Sequence, residues 1–357
     1  MSRQVKSFNS TRTLTQDPSP TSSAVKEARI PALDFTKGTL VLFMVLYHWL
    51  NYFIGVQWPY YRYLRFLTPS FIFITGFMIS NVYLMKYDVD DPRLIKRLLT
   101  RGLKLIAIFV VLNILRNNLL AVLAPAGAFR SPLYFDSLFL STFVTGSFTT
   151  KVVAFYILVP IAYLLILAGA LMVPLRVYRY SFHIACICLF VSIAGLDLAG
   201  GNNPNLEMVA VGAVGILAGF SPLSVINTLV RHPSVLMPLY ILYSIAITAW
   251  NVPYPLEVAG TVLSVTILYL IGNTYATTNR FSDELILIGK YSLFGYISQI
   301  VVLQTLAIAL RYFNLRSTAA VISFPAAFAL TIISVESVHW ARKRFLSMDR
   351  MYKAVFN

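Results

Sequence analysis

Ile157-Leu158-Val159-Pro160-Ile161-Ala162-Tyr163-Leu164-Leu165-Ile166-Leu167-Ala168-Gly169-Ala170-Leu171-Met172-Val173 passes without one charged residue. With its flanks it approaches the roughly 20 residues that an α-helix needs to cross hydrocarbon. Thr39 to Leu50 and Leu263 to Ile271 read the same way. Across 357 residues, 58% are hydrophobic, 12% are charged and the mean hydropathy is +0.72. Soluble domains carry about 45–50% apolar and about 25% charged residues, so a soluble fold is excluded. The expected fold is all-α, a polytopic transmembrane bundle.

Hydropathy and Pro, Gly and charge punctuation predict about ten helices, near 32–54, 64–86, 98–122, 151–173, 181–198, 206–224, 235–250, 256–275, 285–311 and 317–340. Residues 1–31, rich in Ser, Thr and Pro, read as a disordered cytoplasmic tail without a cleaved signal peptide. Residues 32–340 form the membrane domain and 341–357 a basic cytoplasmic tail. Placing both termini in the cytoplasm leaves only Arg62, Arg65, Arg116, Arg130, Lys151, Arg311 and Arg316, of 29 Lys and Arg, on the far side, as the positive-inside rule asks. Topology thereby accounts for the formal charge of +15 without nucleic acid as a partner. Cys186 and Cys188 lie two apart on roughly opposite sides of a helix, which disfavours a mutual disulfide. The longest outer loop, about Ala124 to Thr150 with Arg130 and Asp136, reads as a site-shaping segment or a surface loop. No fixed-period repeat and no pair of inverted halves is visible.

Ionisable groups at membrane depth are costly, so each is a candidate for function. In Ala32-Leu33-Asp34-Phe35-Thr36-Lys37-Gly38, Asp34 and Lys37 stand three apart, and His48 follows eleven residues after Lys37. At about 100° per residue, Asp34, Lys37, Val41, His48 and Tyr52 form one stripe about 60° wide, with His48 about 16 Å deeper than Lys37. The stripe connects two compartments, or else Asp34 and Lys37 pair at the interface and His48 is a packing residue. Arg93, Arg97, Arg101 and Lys104 recur on one face of the third helix, suiting a nucleotide phosphate or an anionic lipid headgroup. Asn113, Arg116 and Asn117 make a polar patch further along. Thr75 and Gly76 allow close helix approach, and Gln299 and Gln304 are polar groups needing partners. No HxxxH or Cys-His spacing points to a metal.

These segments resemble the acyltransferase-3 superfamily of integral membrane acyltransferases, including its branch of glucan-modifying and heparan glucosaminide acetyltransferase-like proteins. That family opens with Arg, Leu-Asp, a basic residue with Gly and, ten intervening residues later, His. Here these are Arg29, Leu33-Asp34, Lys37-Gly38 and His48. Its second-helix pattern appears as Phe71-Ile72-Phe73-Ile74-Thr75-Gly76-Phe77. A basic run, here Arg93, Arg97 and Arg101, leads into helix three with looser spacing than the family's. Near the C-terminus Gly289, Ser292 and Tyr296 match, but Gln299 stands where the family has His.

The resemblance implies transfer of an acyl group, taken as acetyl, from cytoplasmic acetyl-CoA or another acyl-CoA to a hydroxyl or amine of a cell-envelope carbohydrate. His48 is then the catalytic base or acyl carrier. Asp34, Lys37, Arg93, Arg97 and Arg101 hold the donor, and Tyr52, Thr75, Asn113 and Arg116 serve the acceptor or an oxyanion. Gly38, Phe73, Gly76, Tyr296 and Gln299 complete the motif. Acyl-CoA is a co-substrate, and no metal or permanently bound cofactor is expected. The remaining partners are membrane lipid and the carbohydrate, with homo-oligomerisation open, in a bacterial plasma membrane. The rival reading is a transporter of a glycan or lipid-linked solute that uses the same polar stripe, and a third is a non-catalytic membrane partner or sensor.

Overall fold

The computed structural model describes residues 29–55, 60–84, 91–123, 137–146, 153–172, 180–230, 232–275, 279–312 and 319–356. The chain divides into two units, Met1–Ile30 and Pro31–Asn357, and the helices of the described residues all belong to the second. Every regular element among the described residues is helical. The helices are α1 (Pro31–Trp49), α2 (Tyr61–Leu64), α3 (Leu67–Met78), α4 (Pro92–Leu123), α5 (Ser137–Val144), α6 (Leu158–Met172), α7 (Ser181–Leu198) and α8 (Pro204–Gly219). They continue as α9 (Leu223–Val230), α10 (Pro233–Ala249), α11 (Tyr254–Tyr275), α12 (Arg280–Lys290), α13 (Ser292–Tyr312), α14 (Ala319–Arg344) and α15 (Leu346–Phe356). Wide π-helical turns extend α1 over Leu50–Ile54 and α3 over Ile79–Leu84.

Six spans are long and apolar enough to cross a membrane: Tyr61–Leu84, Pro92–Leu119, Ser181–Leu198, Tyr254–Tyr275, Ser292–Leu310 and Val321–Arg344. Leu158–Met172, Pro204–Gly219 and Pro233–Ala249 are apolar but shorter. The 19-residue α1, which carries Asp34, Lys37 and His48, is not one of the six. A multi-pass membrane protein follows from these helices.

Two expected intervals are corrected. The ninth, 285–311, is broken at Tyr291 into α12 and α13. The first of these is two-faced, burying Ser282, Leu285, Ile286, Ile288 and Gly289 and exposing Phe281, Asp283 and Lys290, so it is a packing helix leading into the span. The fourth begins at Leu158 rather than Lys151, because residues 153–155 are irregular. In addition, α5 occupies part of the expected outer loop, while Arg130 and Asp136 lie outside the described residues. The C-terminal tail is helical as α15.

Lipid offers no hydrophobic drive between helices, so close backbone approach and polar bonds do the joining. A Cβ at Gly289 would overlap the Asp34 carbonyl oxygen, and one at Gly38 the Leu285 carbonyl oxygen, so α1 and α12 meet backbone to backbone. The second such seam joins α3 to α8, where Ser80 Oγ donates to Ile216 O at 2.7 Å and Asn81 Nδ2 to Gly219 O at 3.2 Å. Hydroxyls elsewhere bond their own helix four residues back, as Thr36 does to Ala32 O at 2.8 Å and Thr75 to Phe71 O at 2.8 Å. At the start of α8, Asn203 Oδ1 accepts the Leu206 N–H at 3.2 Å and Pro204 occupies the first turn. Cys186 is buried, Cys188 exposed, and both are free thiols.

Candidate functional site

Because α1 packs against α11, α12, α13 and α14, the bundle is assembled around it. His48, half-buried in its last turn, sits beside two aromatic rings, one from its own helix and one from α13. Its centroid is 5.2 Å from that of Tyr47 and 6.4 Å from that of Tyr296 on α13. Tyr47 in turn meets Tyr61 of α2 edge-on at 5.3 Å, and Phe155 meets Tyr296 at 6.4 Å. The π-helical turn begins two residues after His48, a feature that favours functional positions. It also ends the 100° register, so Tyr52 departs from the stripe expected of a regular α-helix. Tyr52 is 37% exposed, and its hydroxyl accepts from Gln304 Nε2 at 2.9 Å.

Phe155 has φ +59, the left-handed region that non-glycine residues occupy at a cost of about 1–3 kcal/mol. Asn113 explains its position. The Asn113 Nδ2 donates to Ala154 O at 2.9 Å and to Phe109 O at 2.9 Å, and its Oδ1 accepts the Ala154 N–H at 2.8 Å. The amide expected to face an acceptor is thus engaged with the backbone that sets Phe155 against Tyr296.

Gln299 is fully buried, and neither its Nε2 nor its Oε1 has a partner among the described residues. On the same face of α13, a Cβ at Gly295 would lie 3.2 Å from Val41 Cγ1, and Leu303 packs against Val45. Gln299 therefore lies between those levels, about one to two helical turns before His48 along α1 and about one turn from Tyr296 along α13. An unpartnered buried amide costs about 1–3 kcal/mol.

At the other end of α1, Lys37 Nζ pairs with Asp34 Oδ1 at 2.6 Å. Lys290 closes α12 beside this pair. Lys343, Lys290 and Arg342 all act electrostatically on His339, whose Nδ1 is 2.9 Å from Tyr291 Oη. Arg97 and Arg101 converge on Tyr83, with guanidinium carbons 5.2 and 5.8 Å from its ring centroid and Arg101 bonded to its hydroxyl. Arg93, exposed, begins the same helix. The main neighbour of α4 is α6, whereas that of α1 is α12, so the two basic groups expected at the donor have separate frameworks. Arg116 Nη1 donates to Asn117 Oδ1 at 3.4 Å. Phe73 and Gly76 lie along the α3–α8 seam, whereas Thr75 donates its hydroxyl to Phe71 O within its own helix.

Phe155, Tyr47 and Tyr61 were not legible as site residues. Nothing in an apolar sequence announces a positive φ, and Tyr61 reaches the site through a short helix between spans. Comparison with protein-family models, curated proteins and solved structures finds no match to this chain.

Proposed function

We propose that this protein is a multi-pass acyltransferase of the bacterial plasma (inner) membrane, with about ten crossings and both termini cytoplasmic. It moves an acyl group, acetyl in the simplest case, from cytoplasmic acyl-CoA to a hydroxyl or amine of a cell-envelope carbohydrate. The observation that carries the reading is the surroundings of His48, a single imidazole in a nest of aromatic rings at one end of α1, with the unpartnered amide of Gln299 in the adjoining seam. Neutral imidazole takes a proton from an attacking hydroxyl, or takes the acyl group itself and passes it on. The buried amide N–H in the adjoining seam stabilises negative charge on the acyl oxygen as the carbonyl is attacked.

The Asp34–Lys37 pair offers a cation to the diphosphate of the donor at the opposite end of α1. Arg93, Arg97 and Arg101 flank the cytoplasmic surface. Asp34 fixes Lys37 rather than His48, since about 21 Å of helix separates it from the imidazole. The resemblance of Leu33-Asp34, Lys37-Gly38 and His48 to the acyltransferase-3 signature supports the same assignment.

The test is acetyl-CoA-dependent release of free CoA by purified protein, with and without a pool of envelope glycans, for wild type and His48→Ala. Acceptor-dependent release that disappears in a folded His48→Ala variant is the expected result. Release retained in the variant removes His48 from the mechanism. No release by folded wild type overturns the transferase, and solute flux in proteoliposomes without acyl-CoA consumption would identify a transporter instead.

A further inference from the structure

At the end of the bundle where α1 finishes, a cleft of about 300 Å³ opens between α2, the end of α10 and the start of α11. Arg62, Arg65, Tyr243, Trp250, Asn251 and Glu257 give it its chemistry. From these residues we infer that the cleft is a saccharide subsite, holding one sugar unit of the acceptor beside the unit that is acylated. The inference rests on the transferase reading above.

The walls are built rather than incidental. Arg62 Nη1 donates to Thr248 O at 2.8 Å, and Tyr63 Oη lies 2.8 Å from Thr248 Oγ1, so α2 is tied to the end of α10. Across the cleft, Arg65 Nη1 pairs with Glu257 Oε1 at 2.5 Å. A paired guanidinium and carboxylate present donors and acceptors side by side, the pattern that vicinal hydroxyls satisfy, and Asn251 adds one more of each. Trp250 is 70% exposed and supplies a flat apolar surface for the C–H face of a pyranose. The volume falls at the lower end of the range for small-ligand sites, enough for a single sugar ring.

Charge narrows the ligand. Two guanidinium groups face one carboxylate, so the cleft is net positive by one and accepts a neutral or a uronic unit. The cleft also adjoins the site. Arg62 directly follows Tyr61, whose ring contacts Tyr47, the neighbour of His48. With Tyr61 and Tyr47 standing between, the unit held is not the unit acylated, and the acceptor is an oligosaccharide rather than a free sugar.

The experiment measures CoA release against concentration of an envelope oligosaccharide pool, at saturating acetyl-CoA, for full-length wild type, Trp250→Ala, Trp250→Phe and Arg65→Gln. Trp250→Ala and Arg65→Gln are expected to raise the acceptor KM about tenfold, the scale of one lost anchor contact, with the acetyl-CoA KM unchanged. Trp250→Phe should recover most of the loss. Unchanged acceptor KM in an active enzyme overturns the cleft and leaves the transferase standing. If wild type releases no CoA, the transferase falls, and calorimetry with maltohexaose and hexagalacturonate judges the cleft. Binding lost in Trp250→Ala sustains it, and no binding by wild type overturns it. Trp250-dependent binding to phosphatidylglycerol vesicles without saccharide binding identifies a lipid anchor and also overturns it.

Discussion

Asn113 holds Ala154 by both of its backbone polar groups, accepting the N–H at 2.8 Å and donating to the carbonyl at 2.9 Å. This clamp joins α4 to the irregular strand of chain before α6 and fixes the left-handed Phe155 that meets Tyr296. Asn113→Leu keeps the volume but leaves the Ala154 N–H and carbonyl unpaired, at about 1–3 kcal/mol for each buried group. The expected outcome is a lower apparent melting temperature in detergent together with reduced turnover, and Asn113→Asp should lower both as well, because its second oxygen faces the Ala154 and Phe109 carbonyls that the amide N–H served. Full activity in Asn113→Leu would separate the Phe155 conformation from function.

The α1–α12 seam makes a sharper prediction about stability. No side chain fits at Gly289, because its Cβ would occupy the position of the Asp34 carbonyl oxygen, and backbone cannot swing aside as a side chain does. Gly289→Ala must push α12 away from α1, with a cost at or above the roughly 4–5 kcal/mol that marks exceptional single substitutions. Loss of folded protein on size-exclusion chromatography is expected. Gly195→Ala on α7 is the control, since a Cβ there meets nothing within 4 Å. It should express as wild type or slightly better, alanine being the better helix former by about 1 kcal/mol.

The helices were legible because lipid imposes a length and a composition on anything that crosses it, and Tyr254–Tyr275 satisfies both, whereas Leu158–Met172 meets only the demand on composition. The break at Tyr291 was not legible, although Gly289 and Lys290 stand immediately before it, because a single Gly and a single charge also occur inside unbroken helices such as α1. The His48 position was legible as a lone imidazole in an apolar run, but its long-range ring neighbour is Tyr296, and Tyr61 and Phe155 stand behind Tyr47 and Tyr296, which no local pattern brings together. The cleft at Trp250 was invisible for the same reason, assembled from α2 and from the ends of α10 and α11.

The C-terminal helix is latched by one carboxylate. Asp349 Oδ1 accepts from Arg342 Nη2 at 2.6 Å and Nε at 3.0 Å, while Lys353 pairs with Oδ2 at 2.6 Å. Arg342 also lies 4.0 Å from the Tyr352 ring centroid. The hydrogen bonds from Lys353 and then Arg342 hold the Asp349 carboxyl below the usual carboxylate range. For a depressed carboxyl, the latch is present above the unfolded value near 3.9 and is lost as pH falls through the lower folded value. Asp349→Asn reproduces that loss at neutral pH. Trypsin should then cleave at Arg350 and Lys353 severalfold faster in Asp349→Asn than in wild type, whereas equal rates would place the hold on α15 in its aromatic contacts, Tyr352 on Tyr291 and Phe356 on Phe294.

Gln299 offers the test in which stability and function move in opposite directions. Its amide is fully buried with both polar atoms unpartnered among the described residues, so Leu, of similar volume, relieves a desolvation cost of about 1–3 kcal/mol. Gln299→Leu is therefore expected to raise the apparent melting temperature by a few degrees. If the amide N–H meets the acyl oxygen during transfer, the same substitution lowers kcat about a hundredfold, the typical effect of deleting one oxyanion donor. A more stable variant with unchanged kcat would remove Gln299 from the chemistry while leaving His48 in place. A less stable variant would show that the amide has a structural partner within the folded protein, and the buried position would then be packing rather than a site held ready for a ligand.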